Sequence, residues 1–358
     1  MRASPSAEGG FSNFQGIVPG NLKTQFVPQL RNAFEFNRSL AESSDKQQFN
    51  ARKSPFTHRG SLNPDGVWWP HFLEITMLMK VNSPFIDIAA SQYHADKSIV
   101  GHSALVEMLR TPQHFHHRLH APHVATPAME FGTALHTIVL EPASFAATYV
   151  VTPKFDRRTK DGKAEAAAWE EANTGKKFIA QDELDALMRM QQCIGSHTEA
   201  ASMLRRGVTE KSFFWTDEDT GIQCRIRPDS LVLDEHGEVI AAIDLKSTQN
   251  AEKRKFSRTM VDRGYDLQAA FYVDGIALAI GRKVPFYFLA VETAAPYGVA
   301  LYKTGERTLE VGRSKYRAAL QMLQWCREND KWPSYQPFSE SEEIDVPYYE
   351  RSLDEELG

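Results

Sequence analysis

Two aspartates and a lysine carry the chemistry this chain could do. Asp229 closes the run Arg225-Ile226-Arg227-Pro228-Asp229, and fifteen residues later Asp244 opens Asp244-Leu245-Lys246-Ser247-Thr248. Each aspartate borders an apolar, β-rich stretch: Ser230-Leu231-Val232-Leu233 follows the first, and Val239-Ile240-Ala241-Ala242-Ile243 precedes the second. His236-Gly237 marks a turn between them, so the pattern predicts a β-hairpin bearing both carboxylates. Asp244 and Lys246, two residues apart, leave one face of their strand, while Leu245 points to the other. Hard divalent cations take oxygen ligands, and a neighbouring lysine can orient or acidify a water in such a site. The three residues therefore suggest metal-assisted hydrolysis of a phosphodiester. Taken alone, they also read as a Pro-Asp turn and a solvated ion pair at a strand end.

These residues need a scaffold, and 358 residues suffice for one large domain with an appendage or for two smaller ones. A 42% hydrophobic and 24% charged composition is ordinary for a soluble globular protein. No run of 18 apolar residues occurs, and Met1-Arg2-Ala3-Ser4-Pro5-Ser6 has no signal-peptide core, so a cytoplasmic protein without membrane contact is expected. Cys193, Cys224 and Cys326 are far apart with no Cys-x-x-Cys pair, which argues against zinc, an iron–sulfur cluster or disulfides. A net charge of −5 means that any nucleic-acid surface must be locally basic.

Residues 1–66, rich in Ser, Asn, Gln, Gly and Pro, read as a weakly ordered tail with a short helix around Pro28 to Leu40; residues 67–90 read as an extension packing on the core. The main domain is expected over 91–335, and 336–358 form an acidic tail. Ser103 to Arg110 predicts a short helix stopped by Thr111-Pro112, with a second helix opening at Pro112. Its His114, His116, His117 and His120 do not place three rings on one helical face, so a solvated face is favoured over a metal site. Thr126-Pro127 opens a helix ending at Pro142, with Gly132 and His136 on one face; Gly132 suggests a close approach by a neighbouring backbone or a substrate. The segment 154–177 reads as a charged loop and an exposed helix, and Asp182 to Arg206 as one helix. Strands are expected at Val208–Thr216, Ile222–Leu233 and Val239–Ser247. A basic loop follows, with Lys253, Arg254, Lys255, Arg258 and Arg263 as candidate phosphate contacts. Then come a helix over Asp266–Leu278 with Gln268 and Tyr272 on one face, strands at Pro285–Val291 and Gly298–Tyr302, and a helix from Thr308 to Glu328. The order predicts an α/β fold with a mixed central sheet flanked by helices.

The order Gly132-x-x-x-His136, Pro228-Asp229, Asp244-x-Lys246, Gln268-x-x-x-Tyr272 resembles the PD-(D/E)XK nuclease superfamily in its RecB-like branch. The helices around Ser103-Ala104-Leu105, Thr111-Pro112-Gln113-His114-Phe115 and Thr126 to His136 resemble the nuclease domain of the RecE, or exonuclease VIII, family of phage and prophage recombination exonucleases. The likeness spans Ile88 to Trp332 and implies a restriction-endonuclease-like core. It implies Asp229, Asp244 and the Leu245 carbonyl as metal ligands, His136 completing a second metal site, and Lys246 positioning the attacking water. Gln268 and Tyr272 would brace the lysine or contact the scissile strand, or merely pack a helix on the sheet. Glu210 would be a supporting carboxylate or an edge charge. Ser103 with Arg110 or Arg118 resembles a 5′-phosphate site. The resemblance further implies Mg²⁺, with Mn²⁺ able to substitute, no iron–sulfur cluster, double-stranded DNA ends as substrate, a homo-oligomeric ring and a single-strand annealing protein as partner. An endonuclease or flap nuclease with the same core, a non-catalytic DNA-binding scaffold, and a hydrolase of another substrate are the rival readings.

Overall fold

The computed structural model describes residues 85–122, 124–336 and 340–345. The tail expected over 1–66, residues 67–84 of the extension and most of the acidic C-terminal segment lie outside the described residues. Helices α1 (Ala90–Ala95), α2 (His102–Arg110), α3 (Pro112–His120), α4 (Pro127–Leu140) and α5 (Pro142–Thr148) lead into β1 (Tyr149–Val151), α6 (Lys160–Ala172) and β2 (Lys177–Ile179). Then come α7 (Gln181–Ser196), α8 (Thr198–Arg205), β3 (Gly207–Thr209), β4 (Phe213–Thr216), β5 (Gln223–Ile226), β6 (Ser230–Leu233) and β7 (Val239–Thr248). Helices α9 (Lys253–Asp262) and α10 (Tyr265–Ile280), strands β8 (Phe286–Glu292) and β9 (Val299–Lys303), and helix α11 (Glu306–Asn329) complete the order.

The main sheet runs β3-β6-β7-β8-β9, antiparallel except for the parallel pair β7 and β8. Strand β7 is central, and its apolar Val239–Ile243 half suits a strand covered on both faces. On one face Ile243, Leu245, Leu289 and Val291 pack with Leu135 and Ile138 of α4 and Leu187 and Met190 of α7. On the other, the Phe286 and Phe288 rings meet Tyr272 and Tyr265 of α10 and Phe256 of α9. The result is a mixed central sheet flanked by helices.

The hairpin between β6 and β7 forms with Ser230 opposite Ile243. Gly237 turns it with φ of 81°, and Asp234 Oδ1 accepts from the amides of His236 and Glu238, both at 2.9 Å. Elsewhere the chain departs from its pattern. The strand expected over Val208–Thr216 divides into β3 and β4, which lie in different sheets, because Glu210 turns the backbone between them at φ 55°. Likewise Ile222–Leu233 divides into β5 and β6 at Arg227-Pro228-Asp229, where Pro228 has no N–H for a ladder. The helix expected from Asp182 to Arg206 breaks at His197, whose Nδ1 caps α8 by accepting from Ala200 N at 3.3 Å. The basic loop after β7 is helix α9, capped by Glu252 and anchored by buried Phe256.

Candidate active site

Asp229 stands just before β6, where its side chain takes the place of the next ladder contact. Its Oδ2 accepts from Leu245 N at 2.7 Å and from His136 Nε2 at 3.0 Å. His136 Nδ1 donates to the Gly132 carbonyl at 2.8 Å. Both partners of the imidazole are acceptors, so both ring nitrogens must donate, and the ring is an imidazolium in this arrangement. Burial works against that charge, but Asp229 outweighs it and raises the His136 pKa to about 9. Burial likewise opposes the Asp229 carboxylate, yet His136, then Lys246 and the Leu245 amide, hold its pKa below the usual value. Gly132 does not admit a close neighbour from the protein itself: a Cβ there would meet only Ser247 Oγ, at 3.7 Å. Its structural use is the carbonyl that orients His136.

Asp244 is 2% exposed in the centre of the fold. Its Oδ1 accepts from Gln268 Nε2, and its Oδ2 lies 2.5 Å from Lys246 Nζ. That second contact is a charge-assisted pair between a buried carboxylate oxygen and the ammonium. Burial, against the pull of Lys246 and with the push of Asp229, raises the Asp244 pKa to about 6. Lys246 is desolvated too, but Asp244 and Asp229 raise its pKa and keep it cationic. The ammonium also sits 4.5 Å above the Tyr265 ring centre.

Gln268 therefore braces Asp244 rather than the lysine, and Tyr272 braces neither: its hydroxyl pairs with His102 Nδ1 at 3.2 Å. The ring under Lys246 is Tyr265, which the sequence pattern did not single out. Tyr265, Gln268 and Tyr272 follow one another at i, i+3 and i+7, the spacing of one helical face, and that signal could have found it. His102 was missed as well. At the first position of α2 it joins Tyr272 to Ser103, whose Oγ lies 3.2 Å from His102 Nε2. Burial, then Lys246, lowers the His102 pKa to about 3 and keeps the ring neutral.

Ser103 is exposed at the start of α2. Arg110 ends that helix, about 10 Å further along the axis, and bonds the Tyr335 hydroxyl at 3.3 Å. Arg118, on α3, is near enough for its charge to act on His102, and it lies 3.8 Å from Glu107. Lys253, Arg254 and Lys255 are exposed on the first turn of α9, which follows β7 after four residues. Glu210 donates its amide to the Asp229 carbonyl at 3.3 Å and sits 3.7 Å from Arg227. Burial, then the charge of Asp229, raises its pKa to about 7. Arg227 is in turn clamped by Ser212 Oγ and the Ile88 carbonyl, both at 2.8 Å, with its guanidinium 4.2 Å over Tyr93.

Hard oxygen donors suit a divalent cation, and two observations test the fit. The Asp244 Oδ2 atom is buried and its partner is the Lys246 ammonium, 2.5 Å away, so this oxygen already faces a positive charge where a divalent cation could stand. The Leu245 N–H points at Asp229, so the carbonyl of the same residue leaves the strand on that side. Asp229, Asp244 and the Leu245 carbonyl thus fit a cation, and His136 could join them on losing its Nε2 proton. Among the described residues no three His, Cys, Asp or Glu side chains form a ready-made cluster, in keeping with Asp244 being turned onto Lys246 and Gln268.

A mixed sheet with Pro-Asp before one strand and Asp-x-Lys on the next defines a PD-(D/E)XK-like domain. The family model described as a PDDEXK-like domain of unknown function, DUF3799, matches residues 101–346, and the chain belongs to that family. No curated protein sequence matches it. A solved candidate exonuclease from Eubacterium rectale is similar at 11% identity and TM-score 0.47, covering 73% of this chain and 97% of its own. An alkaline exonuclease, LHK-Exo, from Laribacter hongkongensis is similar at 10% identity and TM-score 0.25, covering 68% and 97%. Among the described residues no helix is long and apolar enough to cross a membrane.

Proposed function

We propose that the protein is a metal-dependent exodeoxyribonuclease that degrades the 5′-ended strand of linear double-stranded DNA and leaves 3′ single-strand overhangs for recombination. The observation that carries the hydrolytic reading is the convergence of Asp229, Asp244 and Lys246, with the Lys246 ammonium 2.5 Å from a buried oxygen of Asp244 and its charge acting on Asp229. Mg²⁺, or Mn²⁺ in its place, held by Asp229, Asp244 and the Leu245 carbonyl with His136 nearby, would neutralise phosphate charge and acidify a bound water. The chain's own groups do the positioning. The Leu245 amide and His136 fix Asp229, Gln268 fixes one oxygen of Asp244, and Tyr265 holds Lys246 where its protons can reach a phosphate oxygen or the attacking water.

The exonuclease habit, the 5′ polarity, a homo-oligomeric ring around DNA and an annealing partner follow the sequence resemblance to RecE-type enzymes, and a cytoplasmic location follows the lack of an apolar span or signal-peptide core in the sequence. A time course on end-labelled linear duplex and closed circular plasmid with Mg²⁺ tests the exonuclease habit and the polarity. Loss of the 5′-labelled strand from linear DNA with the circle intact is expected; nicking of the circle at a similar rate would favour an endonuclease. Ser103, exposed in the first turn of α2, whose N-cap Gly101 provides no side-chain cap, suits a 5′-phosphate. Duplex with 5′-phosphate should therefore be digested faster than 5′-hydroxyl duplex, and Ser103→Ala should erase the difference at unchanged melting temperature. Equal rates for the two wild-type substrates would reject this role.

The exposed first turn of α9 gives a further expected result. Replacing Lys253, Arg254 and Lys255 by alanine should flatten the slope of log affinity against log salt by about 0.9 for each phosphate that is no longer neutralised. An unchanged slope in a fluorescence anisotropy titration would assign these residues to solvent.

A further inference from the structure

We propose that α3 and the chain segment after α11 form a ring-lined ledge that stacks a single-stranded stretch of nucleic acid beside the candidate active site; this rests on the DNA-directed reading of that site. The ledge is built upward from one anchor. Phe115 is 1% exposed, and Trp332 stacks on it with centroids 5.9 Å apart and planes 13° from parallel. His116 lies against the same indole at 4.6 Å, and His120 lies against His116 at 4.6 Å. One turn away the His114 ring meets Tyr335 at 5.6 Å, and Thr111 Oγ1 fixes His114 Nδ1 at 2.6 Å. The outer end is open: Tyr335 is 52% exposed, and His120 is exposed. Internal packing accounts for Phe115 and for the seat of the segment after α11, where Gln113 N donates to the Pro333 carbonyl at 3.1 Å, while the rings of Tyr335 and His120 continue into solvent.

Three features select the occupant. Planar faces suit bases, every one of which offers a π-surface. Charge agrees: in a chain of net charge −5, no acidic residue lies between Glu107 and Glu130, while Arg110 and Arg118 fall in that interval. The charged groups facing the ledge are mixed but favour an anion. Glu107 sits 4.0 Å from Arg110 and 3.8 Å from Arg118, and Asp330 accepts from the Trp332 indole at 3.4 Å. Against them stand Arg110 and Arg118 themselves, the exposed Lys331, and Lys97, whose Nζ bonds the Leu119 carbonyl at 2.9 Å. Position also agrees, because Arg118 on this helix acts on His102, which touches Tyr272 and Ser103 and feels the charge of Lys246. A strand leaving the site past Ser103 would run onto α3. The alternative occupant is the acidic segment of this chain with Glu340, Glu342, Glu343 and Asp345, which follows Tyr335 closely in sequence.

The test uses the full-length protein in chelator, with no divalent cation, and a fluorescein-labelled short oligo(dT) read by anisotropy. Tyr335→Ala and His120→Ala alter exposed rings; Trp332→Ala removes the middle of the stack, with Trp332→Phe as the ring-preserving rescue. Removing any one ring should weaken binding by about fivefold or more, and Trp332→Phe should restore it. Equal affinity in wild type, Tyr335→Ala and Trp332→Ala would overturn the ledge. So would tighter oligonucleotide binding after truncation beyond Gln336 that no ring substitution affects, since the acidic segment would then be what shields the protein from DNA. Mg²⁺-dependent cleavage of linear duplex, measured in parallel, keeps the two readings apart. Cleavage with ring-independent binding rejects the ledge alone, whereas ring-dependent binding by a wild type that never cleaves rejects the nuclease reading and leaves the ledge standing.

Discussion

Asp244→Asn should reduce Mg²⁺-dependent turnover on linear duplex by at least about a hundredfold, the scale of losing a charge that acts on the transition state. The substitution is close to isosteric, and an amide oxygen can still accept from Gln268 where Oδ1 does now. What disappears is the negative charge on the buried Oδ2, the atom that pairs with Lys246 at 2.5 Å. Lys246 then keeps Asp229 and the Tyr265 ring as its remaining partners. Removing one member of a buried pair costs about 3–5 kcal/mol where the other is left stranded; here the partial exposure of Lys246, 15% of its side chain, lowers that cost. Asp229→Asn and Lys246→Ala should be comparably inactive. Lys246→Ala should be the less stable of the two, because it leaves the carboxylate of Asp244 buried with only Gln268 beside it. The measurement is single-turnover cleavage paired with thermal melting, so that lost chemistry is separated from lost fold. Near-wild-type turnover by folded Asp244→Asn would falsify the site.

The parts of this site that are local in sequence were legible there. Pro228-Asp229 before one apolar run and Asp244-x-Lys246 after another, with His236-Gly237 between them, predict a hairpin, and β6 and β7 do pair antiparallel. The parts that depend on tertiary placement were not legible. Nothing about a glutamate announces a positive φ, so the division of Val208–Thr216 at Glu210 leaves no mark in the hydrophobic pattern. The family resemblance implied that Gln268 and Tyr272, which share one helical face, brace the lysine, contact the scissile strand or merely pack; only the docking of α10 decides that Gln268 reaches Asp244 while Tyr272 reaches His102. The basic run after β7 read as a loop because its charges conceal the single anchor, Phe256, that turns it into a docked helix.

That docking leads to the largest expected effect on stability. Gly312 lies on α11 where the helix presses on the first turn of α10, and a Cβ built there would be 1.9 Å from the Asp266 carbonyl oxygen and 2.5 Å from its carbon. Both atoms belong to backbone and cannot rotate away, so Gly312→Ala must push the helices apart. The separation would disturb the buried Lys315–Asp266 pair at 2.6 Å, together with the bonds that Arg313 and Tyr316 make to Asp274 at 2.6–2.8 Å. Overpacking of this kind costs about 1–3 kcal/mol, and a strained buried ion pair adds to it; a loss of about 3 kcal/mol or more in urea unfolding is expected. Gly195→Ala is the control, since that position is exposed on α7 with nothing within 4 Å of its Cβ, and it should gain about 0.5 kcal/mol from reduced backbone entropy. The same displacement reaches the chemistry. Asp266 follows Tyr265 directly and precedes Gln268 by two residues, so moving the first turn of α10 shifts the ring beneath Lys246 and the amide that orients Asp244. Gly312→Ala should therefore lose cleavage per folded molecule at temperatures well below its own melting point, where Gly195→Ala keeps full activity. If Gly312→Ala unfolds at the wild-type urea concentration, α11 does not press on α10 as closely as the structure has it, and the control of Lys246 and Asp244 by that contact goes with it.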